Sequence, residues 1–196
     1  MIIGITGGTG CGKTTLLDVI REQGGIVLDC DAIYHRLLRE DPNLLNAIET
    51  RFPGTVKNGH LQRKQLGQIV FSDEQALADL NQITHSAVKA EVIRLLNPEP
   101  DLAAIDAIGL FESGLDKLCQ LTVAVTASEE ARINRLMKRD NIDREYALSR
   151  IRAQRSCEEF SRLCDRALSN DCTREDFQKK CLAFLSELGI MKSKKQ

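Results

Sequence analysis

The chain has no C-x-x-C pair among its 7 cysteines and a formal net charge of only -1. It also has no apolar run near the roughly 18 residues needed to span a bilayer. Each absence excludes a class. Cys157, Cys164, Cys172 and Cys181 are spaced too widely and irregularly for a zinc knuckle, so reduced thiols are expected. The near-neutral charge offers no global attraction to nucleic acid or to an acidic membrane surface. No signal peptide is expected, because "MIIGIT" already reads as a strand. The expectation is a cytoplasmic protein without nucleic-acid or membrane partners, most simply a monomer. There is no internal repeat or low-complexity linker. No N-K-x-D guanine reader and no L-S-G-G-Q signature occurs, which counts against a switch GTPase and a transporter ATPase. The closing "MKSKKQ" reads as a frayed, solvated basic tail.

What is present is 196 residues, 42% of them hydrophobic, enough for one substantial core with an inserted subdomain. "MIIGIT" predicts a first strand and "KTTLLDVIREQG" an amphipathic helix that stops at Gly24 and Gly25. "IVLDC" is a second strand and "AIYHRLL" a second helix; this order predicts a parallel sheet covered by helices. From Asp41 to about Pro100 the pattern is helical throughout, with Asp41 capping a helix that starts at Pro42 and "KNGH" marking a turn. Ser72 and Gln75 have capping-box spacing ahead of a long helix. Strands resume in "LAAIDAIGLF" and "LTVAVTAS". Helices follow in "EEARINRLMKR", capped by Ser128, and in "REYALSRIRAQR"; "RALSN" predicts a last short strand before a helix capped by Thr173.

"GGTGCGKT", Gly7 to Thr14, satisfies G-x-x-x-x-G-K-[ST] between a strand and a helix, as a phosphate loop requires. Glycines let backbone N–H groups turn inward around phosphate oxygens, and the helix N-terminus adds positive potential. Lys13 would reach the β- and γ-phosphates of a nucleoside triphosphate, and the Thr14 hydroxyl would ligate Mg²⁺. The bland alternative is an ordinary glycine-rich turn. Cys11 inside the loop is either a small residue that fits or a thiolate favoured by the helix N-terminus.

Asp29 and Asp31 end the second strand, where open parallel sheets bind ligands, and in extended chain both would face one side. A kinase needs a group that accepts the proton of the attacking hydroxyl, and Asp31 is placed for it, with Asp29 holding water-bound Mg²⁺ or orienting the acceptor. Asp31 could equally cap the following helix. Asp106 ends "LAAI" at a Walker-B-like position for an outer Mg²⁺ contact, or simply caps a strand end. Arg132, Arg135 and Arg139 fall on one helix face, either as lid cations for the transferred phosphoryl group or as a solvated face.

These residues together resemble the dephospho-CoA kinase family, over nearly the whole chain. "IGITGGTGCGKTT", "LDCDAI", "LQRKQLGQIVFSDEQALADLNQITHSAV", "DAIGLFESG", "RLMKRDNIDREYALSRIRAQ" and "ALSND" are similar to that family's segments, in order and at its spacing. The resemblance implies transfer of the ATP γ-phosphate to the ribose 3′-hydroxyl of dephospho-CoA. It makes Asp31 the base, with Lys13 and Arg139 as the other catalytic residues, and Gly10, Cys11, Gly12, Lys13, Thr14 and Thr15 the ATP loop. Gln154 and Asn170 lie where the family contacts nucleotide, and Asp29, Arg63, His85 and Glu112 on the acceptor side. Three departures stand out: "GCGKT" for Gly-Ser-Gly-Lys-Ser, His85-Ser86 for His-Pro, and "IGL" for Pro-Leu-Leu before the acid. A shikimate- or gluconate-type kinase is the nearest rival, and a non-catalytic nucleotide-binding regulator a more distant one. The rival kinase should carry a later glycine triplet, which is missing here.

The fold expected is therefore α/β, a P-loop NTPase-type parallel sheet flanked by helices, with a helical substrate-binding insertion and a short lid. Within a single domain over 1–196, the core would comprise 1–40, 101–131 and 166–190, the helical region 41–100 and the lid 132–156.

Overall fold

The computed structural model describes residues 1–190; the basic tail expected at the end lies outside them. The described chain forms two compact units, residues 1–28 together with the chain from Pro100 onward, and Asp29–Glu99.

The first unit is built on a five-stranded sheet in the order β2-β5-β1-β6-β7. Its strands are β1 (Ile2–Thr6), β2 (Ile26–Asp29), β5 (Ala103–Asp106), β6 (Leu121–Thr126) and β7 (Arg166–Ser169). β1 runs parallel to β5 and to β6, and β6 parallel to β7. Parallel neighbours need covered faces, and the residues supply them. Ile3, Ile5, Val123 and Val125 are buried against Leu16, Val19 and Ile20 of α1 (Lys13–Glu22), and Phe177, Cys181 and Leu185 of α9 (Arg174–Glu187) join the same cluster. A smaller cluster of Ile133, Leu136, Ala147 and Ile151 joins α6 (Glu129–Asp140) to α7 (Arg144–Arg152). α8 (Cys157–Leu163) follows and packs on β6. The expected parallel sheet flanked by helices is the architecture found.

The second unit contains α2 (Cys30–Glu40), α3 (Pro42–Arg51), α4 (Arg63–Val70) and the long α5 (Glu74–Leu96), against which the other three helices pack. Ile33, Leu37, Leu44, Ile48, Leu66, Val88 and Val92 are buried. Among the described residues no helix is long and apolar enough to cross a membrane.

Several local expectations are corrected. The region after Asp41 is not helical throughout: β3 (Val56–Lys57) and β4 (His60–Leu61) form an antiparallel hairpin. Its two turn residues, Asn58 and Gly59, take φ 52° and 74°, the left-handed pair that a tight hairpin turn demands. β5 ends at Asp106 and the chain then turns, so "AIGLF" is not strand. Ser72 is not the cap of α5. Asp73 accepts from the Gln75 and Ala76 amides at 2.8 and 3.2 Å, while the Ser72 hydroxyl donates back to the Gln68 carbonyl at 2.9 Å. The carboxylate, a stronger acceptor one residue later, takes the orphan amides.

Asp29 and Asp31 do not share one face of an extended strand. β2 stops at Asp29, whose carboxylate accepts from the Ala32 amide at 2.9 Å and so starts α2 at once. Asp29, rather than Asp31, is the N-cap, and Asp31 sits in the helix's first turn.

Candidate active site

The loop between β1 and α1 is shaped by backbone angles open to glycine. Gly12, with φ 92°, is the N-cap of α1, and a Cβ there would lie 2.2 Å from the Asn170 side-chain nitrogen. The Cys11 amide donates to the Gly8 carbonyl at 3.2 Å and the Thr15 amide to Gly12 at 3.1 Å, which closes the loop onto the helix. Lys13 folds back so that Nζ donates to the Gly7 carbonyl at 2.9 Å. Thr14 and Thr15 follow in the first turn of α1, with Thr14 exposed.

Four side chains from distant elements grip this loop. Gln154 Oε1 accepts from the Thr9 amide at 2.7 Å, and Arg132 Nε donates to the Thr9 carbonyl at 2.8 Å. Arg135 donates through Nη1 to the Gly10 carbonyl at 3.2 Å and through Nη2 to the Asn170 carbonyl at 2.8 Å. Asn170 Nδ2 donates to the Cys11 carbonyl at 2.8 Å. These bonds occupy the Thr9, Gly10 and Cys11 carbonyls and so fix the course of the loop. Arg132, expected as a lid cation or part of a solvated face, is instead only 3% exposed and built into the support of the loop. Arg135 shares that task. Their i, i+3 spacing is visible in the sequence, whereas their target is not.

Arg139 lies at the end of α6, bonded through Nε to Asp140 at 2.7 Å; Arg150 reaches the same carboxylate at 2.6 Å. Two guanidiniums share one acid, so the group keeps net positive charge, and first Arg139 and then Arg150 hold the Asp140 carboxyl well below its usual range. Glu112 is paired with Arg155 at 2.6 Å, a partner that no sequence pattern reveals. Asp106 stands at the end of β5 in register with Ile5 of β1. Cys11 is fully buried, and its Sγ lies 3.9 Å from that of Cys157. Its thiol is pushed up, first by the hydrogen bond it shares with Cys157 and then by burial, which disfavours the thiolate.

The hydroxyl of Thr14 and the carboxylate of Asp106 are hard oxygen donors, the chemistry that Mg²⁺ takes. Among the described residues no cluster of three or more His, Cys, Asp or Glu side chains could hold a metal.

In the second unit, the exposed Asp31 carboxylate makes no hydrogen bond or ion pair among the described residues. A cavity of about 220 Å³ there is lined by Tyr34, Leu38, Leu61, Arg63 and Phe71, among others. Phe71, one of the lining residues, is 85% exposed. Arg63 thus sits where a ligand could lie, while His85, half-buried on α5, is not among the lining residues. Tyr34 and Phe71 are functional candidates that sequence patterns alone do not single out; an aromatic residue closing α4 is the available signal.

Comparison with known proteins adds an independent line. A family model described as dephospho-CoA kinase matches residues 1–176. A dephospho-CoA kinase of Fusobacterium nucleatum is 36% identical over 187 residues, covering 94% of this chain and 96% of the relative. The solved structure of TT1252 from Thermus thermophilus aligns with TM-score 0.79 at 36% identity, covering 96% of this chain and 97% of that one. The dephospho-CoA kinase from Campylobacter jejuni aligns with TM-score 0.67 at 27% identity, covering 95% and 96%.

Proposed function

This chain belongs to the dephospho-CoA kinase family, and we propose that it transfers the γ-phosphate of ATP to the ribose 3′-hydroxyl of dephospho-CoA, giving coenzyme A. The observation that carries this reading is the phosphate loop with Lys13 at its exit, its carbonyls tied back by Arg132, Arg135 and Asn170 and its Thr9 amide held by Gln154. The family's own name supplies the acceptor. Family membership sets aside the shikimate- or gluconate-type rival, and the intact Lys13 argues against a non-catalytic regulator.

Phosphoryl transfer needs positioning and charge stabilisation more than covalent chemistry. The loop residues Gly10, Cys11, Gly12, Lys13, Thr14 and Thr15 surround the phosphates, and Lys13 leaves its Gly7 carbonyl to neutralise charge on the γ-phosphoryl group. Gln154 and Asn170 hold the loop in register with the nucleotide. Asp31, a carboxylate without a competing partner, takes the proton from the attacking hydroxyl, and Asp29 stays engaged as the cap that aims the first turn of α2. Arg139 exchanges Asp140 for the phosphoryl oxygens as charge spreads. Thr14, with Asp106 further out, would hold Mg²⁺, whose contribution is electrostatic neutralisation of the phosphates.

On the acceptor side, Arg63 and the aromatic walls of the cavity receive dephospho-CoA, whose pantetheine arm suits an apolar lining with one cation at its edge. His85 and Glu112 contribute to acceptor binding. The helices between Asp41 and Pro100 act as the substrate-binding region and α6–α7 as the lid within one catalytic domain. We place the enzyme in the cytoplasm as a monomer.

The test is ADP release from Mg·ATP with dephospho-CoA, shikimate, gluconate and adenosine offered separately, with the product identified by mass. Conversion of dephospho-CoA alone is expected. Turnover of another acceptor with none of dephospho-CoA overturns the assignment.

A further inference from the structure

The described residues around the loop hold one arrangement that phosphoryl transfer does not use. Cys11 Sγ, inside the phosphate loop, faces Cys157 Sγ at 3.9 Å across 146 positions of sequence. Both thiols are free, and Cys157 is partly exposed while Cys11 is fully buried. The Cys157 sulfur also lies 3.7 Å from Arg132 Nη1. Arg132 itself is buried, and its Nη2 has no hydrogen-bond partner. A buried guanidinium without a paired carboxylate is costly. The Cys157 sulfur, whose thiol donates to the Ala127 carbonyl at 3.3 Å, is the ionisable group beside it.

From this geometry we propose that Cys157 and Cys11 form a thiol–disulfide exchange site, through which low-molecular-weight disulfides close a bond across the phosphate loop and switch off nucleotide binding. The assignment of roles follows from access and charge. Cys157 is partly exposed and is held below the ordinary thiol range, first by the hydrogen bond it shares with Cys11, then by its bond to the Ala127 carbonyl and by Arg132. It is the attacking sulfur. Its thiolate displaces one thiolate from R–S–S–R to give Cys157–S–S–R. Cys11 then attacks the Cys157 sulfur, its proton passing to the departing thiolate. The sum is two protein thiols and one R–S–S–R converted to one protein disulfide and two RSH.

The consequence for the loop is geometric. A disulfide brings the sulfurs from 3.9 Å to about 2.05 Å, a closure that must be taken up by backbone or side-chain movement. Cys11 lies in the middle of the loop, with its amide and carbonyl committed to Gly8 and Asn170. Binding constellations tolerate only about 0.5 Å of displacement before they lose their ligand. The bond would also be reversible. Its formation removes the anion beside Arg132, so reduction by a thiol restores a compensated charge. This inference rests on the loop being the triphosphate site and is independent of the acceptor.

The full-length reduced protein would be incubated with oxidised glutathione, its cysteine pairing mapped by peptide mass, and its ATP affinity titrated before and after. Wild-type protein is expected to gain a Cys11–Cys157 bond, to lose at least about tenfold in ATP affinity, and to recover with dithiothreitol. Cys157→Ser, and Cys157→Ala as its second form, are each expected to show the same ATP affinity with and without oxidant, whatever that affinity is in the reduced variant. The proposal is overturned if no Cys11–Cys157 bond forms. Equal loss of affinity in wild type and both variants, or a crosslinked protein that binds ATP normally, overturns it as well. Because ATP binding is the readout, an inactive acceptor would sink the dephospho-CoA assignment without touching this one.

Discussion

The Asn170 side-chain amide donates to the Cys11 carbonyl at 2.8 Å, although 159 positions separate the two residues in the chain. Asn170 is held in turn by its own amide on the Thr126 carbonyl at 2.8 Å and by Arg135 on its carbonyl. The last strand of the sheet therefore fixes the loop that follows the first. Replacing Asn170 with Ala leaves the buried Cys11 carbonyl with only the longer bond from Arg135 Nη1 at 3.5 Å, at a cost of about 1 kcal/mol. The expected result is a roughly tenfold rise in KM for ATP with a smaller change in kcat, read from steady-state kinetics. An unchanged KM would remove Asn170 from the support of the loop.

Asp31→Asn keeps the shape of the first turn of α2 and removes the proton acceptor. Turnover should fall by about 10²–10⁴-fold while ATP affinity stays near wild type. Turnover close to normal would sink the role of Asp31 as base.

Gly12→Ala tests the loop's backbone. The new Cβ would meet Asn170 Nδ2 at 2.2 Å, and φ 92° is a poor angle for alanine. Loss of ATP binding is expected, with destabilisation of at least about 1 kcal/mol in urea unfolding. A variant that binds ATP as well as wild type would contradict the loop geometry.

Phe71→Ala separates acceptor from nucleotide. The ring is 85% exposed, so its removal should change stability by no more than about 0.5 kcal/mol. KM for dephospho-CoA should rise about three- to tenfold, the worth of roughly 1 kcal/mol of lost apolar contact, and KM for ATP should not move. Equal effects on both substrates would disconnect the cavity from the acceptor.

The pH dependence of stability should show Glu91. Arg94, and then Arg36, bond this carboxylate at 2.7 and 2.5 Å and hold it down to about 2 from 4.5. The depressed value means that its stabilisation is complete above about pH 4.5 and is lost as the pH falls through about 2. Glu91→Gln should cost about 1–2 kcal/mol at pH 7, allowing for the exposure of both arginines, and progressively less toward pH 2. A difference between variant and wild type that stays constant from pH 7 to pH 2 would exclude this linkage.

Much of the machinery is legible in the sequence, because its signals are local. G-x-x-x-x-G-K-T closes its own turn onto its own helix, and caps such as Asp41, Ser128 and Thr173 bond amides two or three residues away. Local signals mislead where two options compete at neighbouring residues. Asp29 caps α2 in place of Asp31, and Asp73 caps α5 in place of Ser72, since whichever oxygen reaches the free amides best starts the helix. The hairpin at Asn58-Gly59 is visible as a turn, but its strands of two residues each are too short for any periodicity to show.

Local pattern alone establishes the phosphate loop, a pair of acids at the end of the second strand, and the alternation of strands and helices that makes a parallel sheet. Which of the two acids caps α2, and which side chains serve the loop, are settled by packing. Arg132 and Arg135 could have faced solvent, Glu112 could have stood free, and Cys11 could have met any small neighbour. Helical spacing says which residues share a face but not what that face meets. The order β2-β5-β1-β6-β7 brings β6, β7 and the helix after β6 beside the end of β1. Contacts across more than a hundred residues depend on that order, which no local pattern encodes.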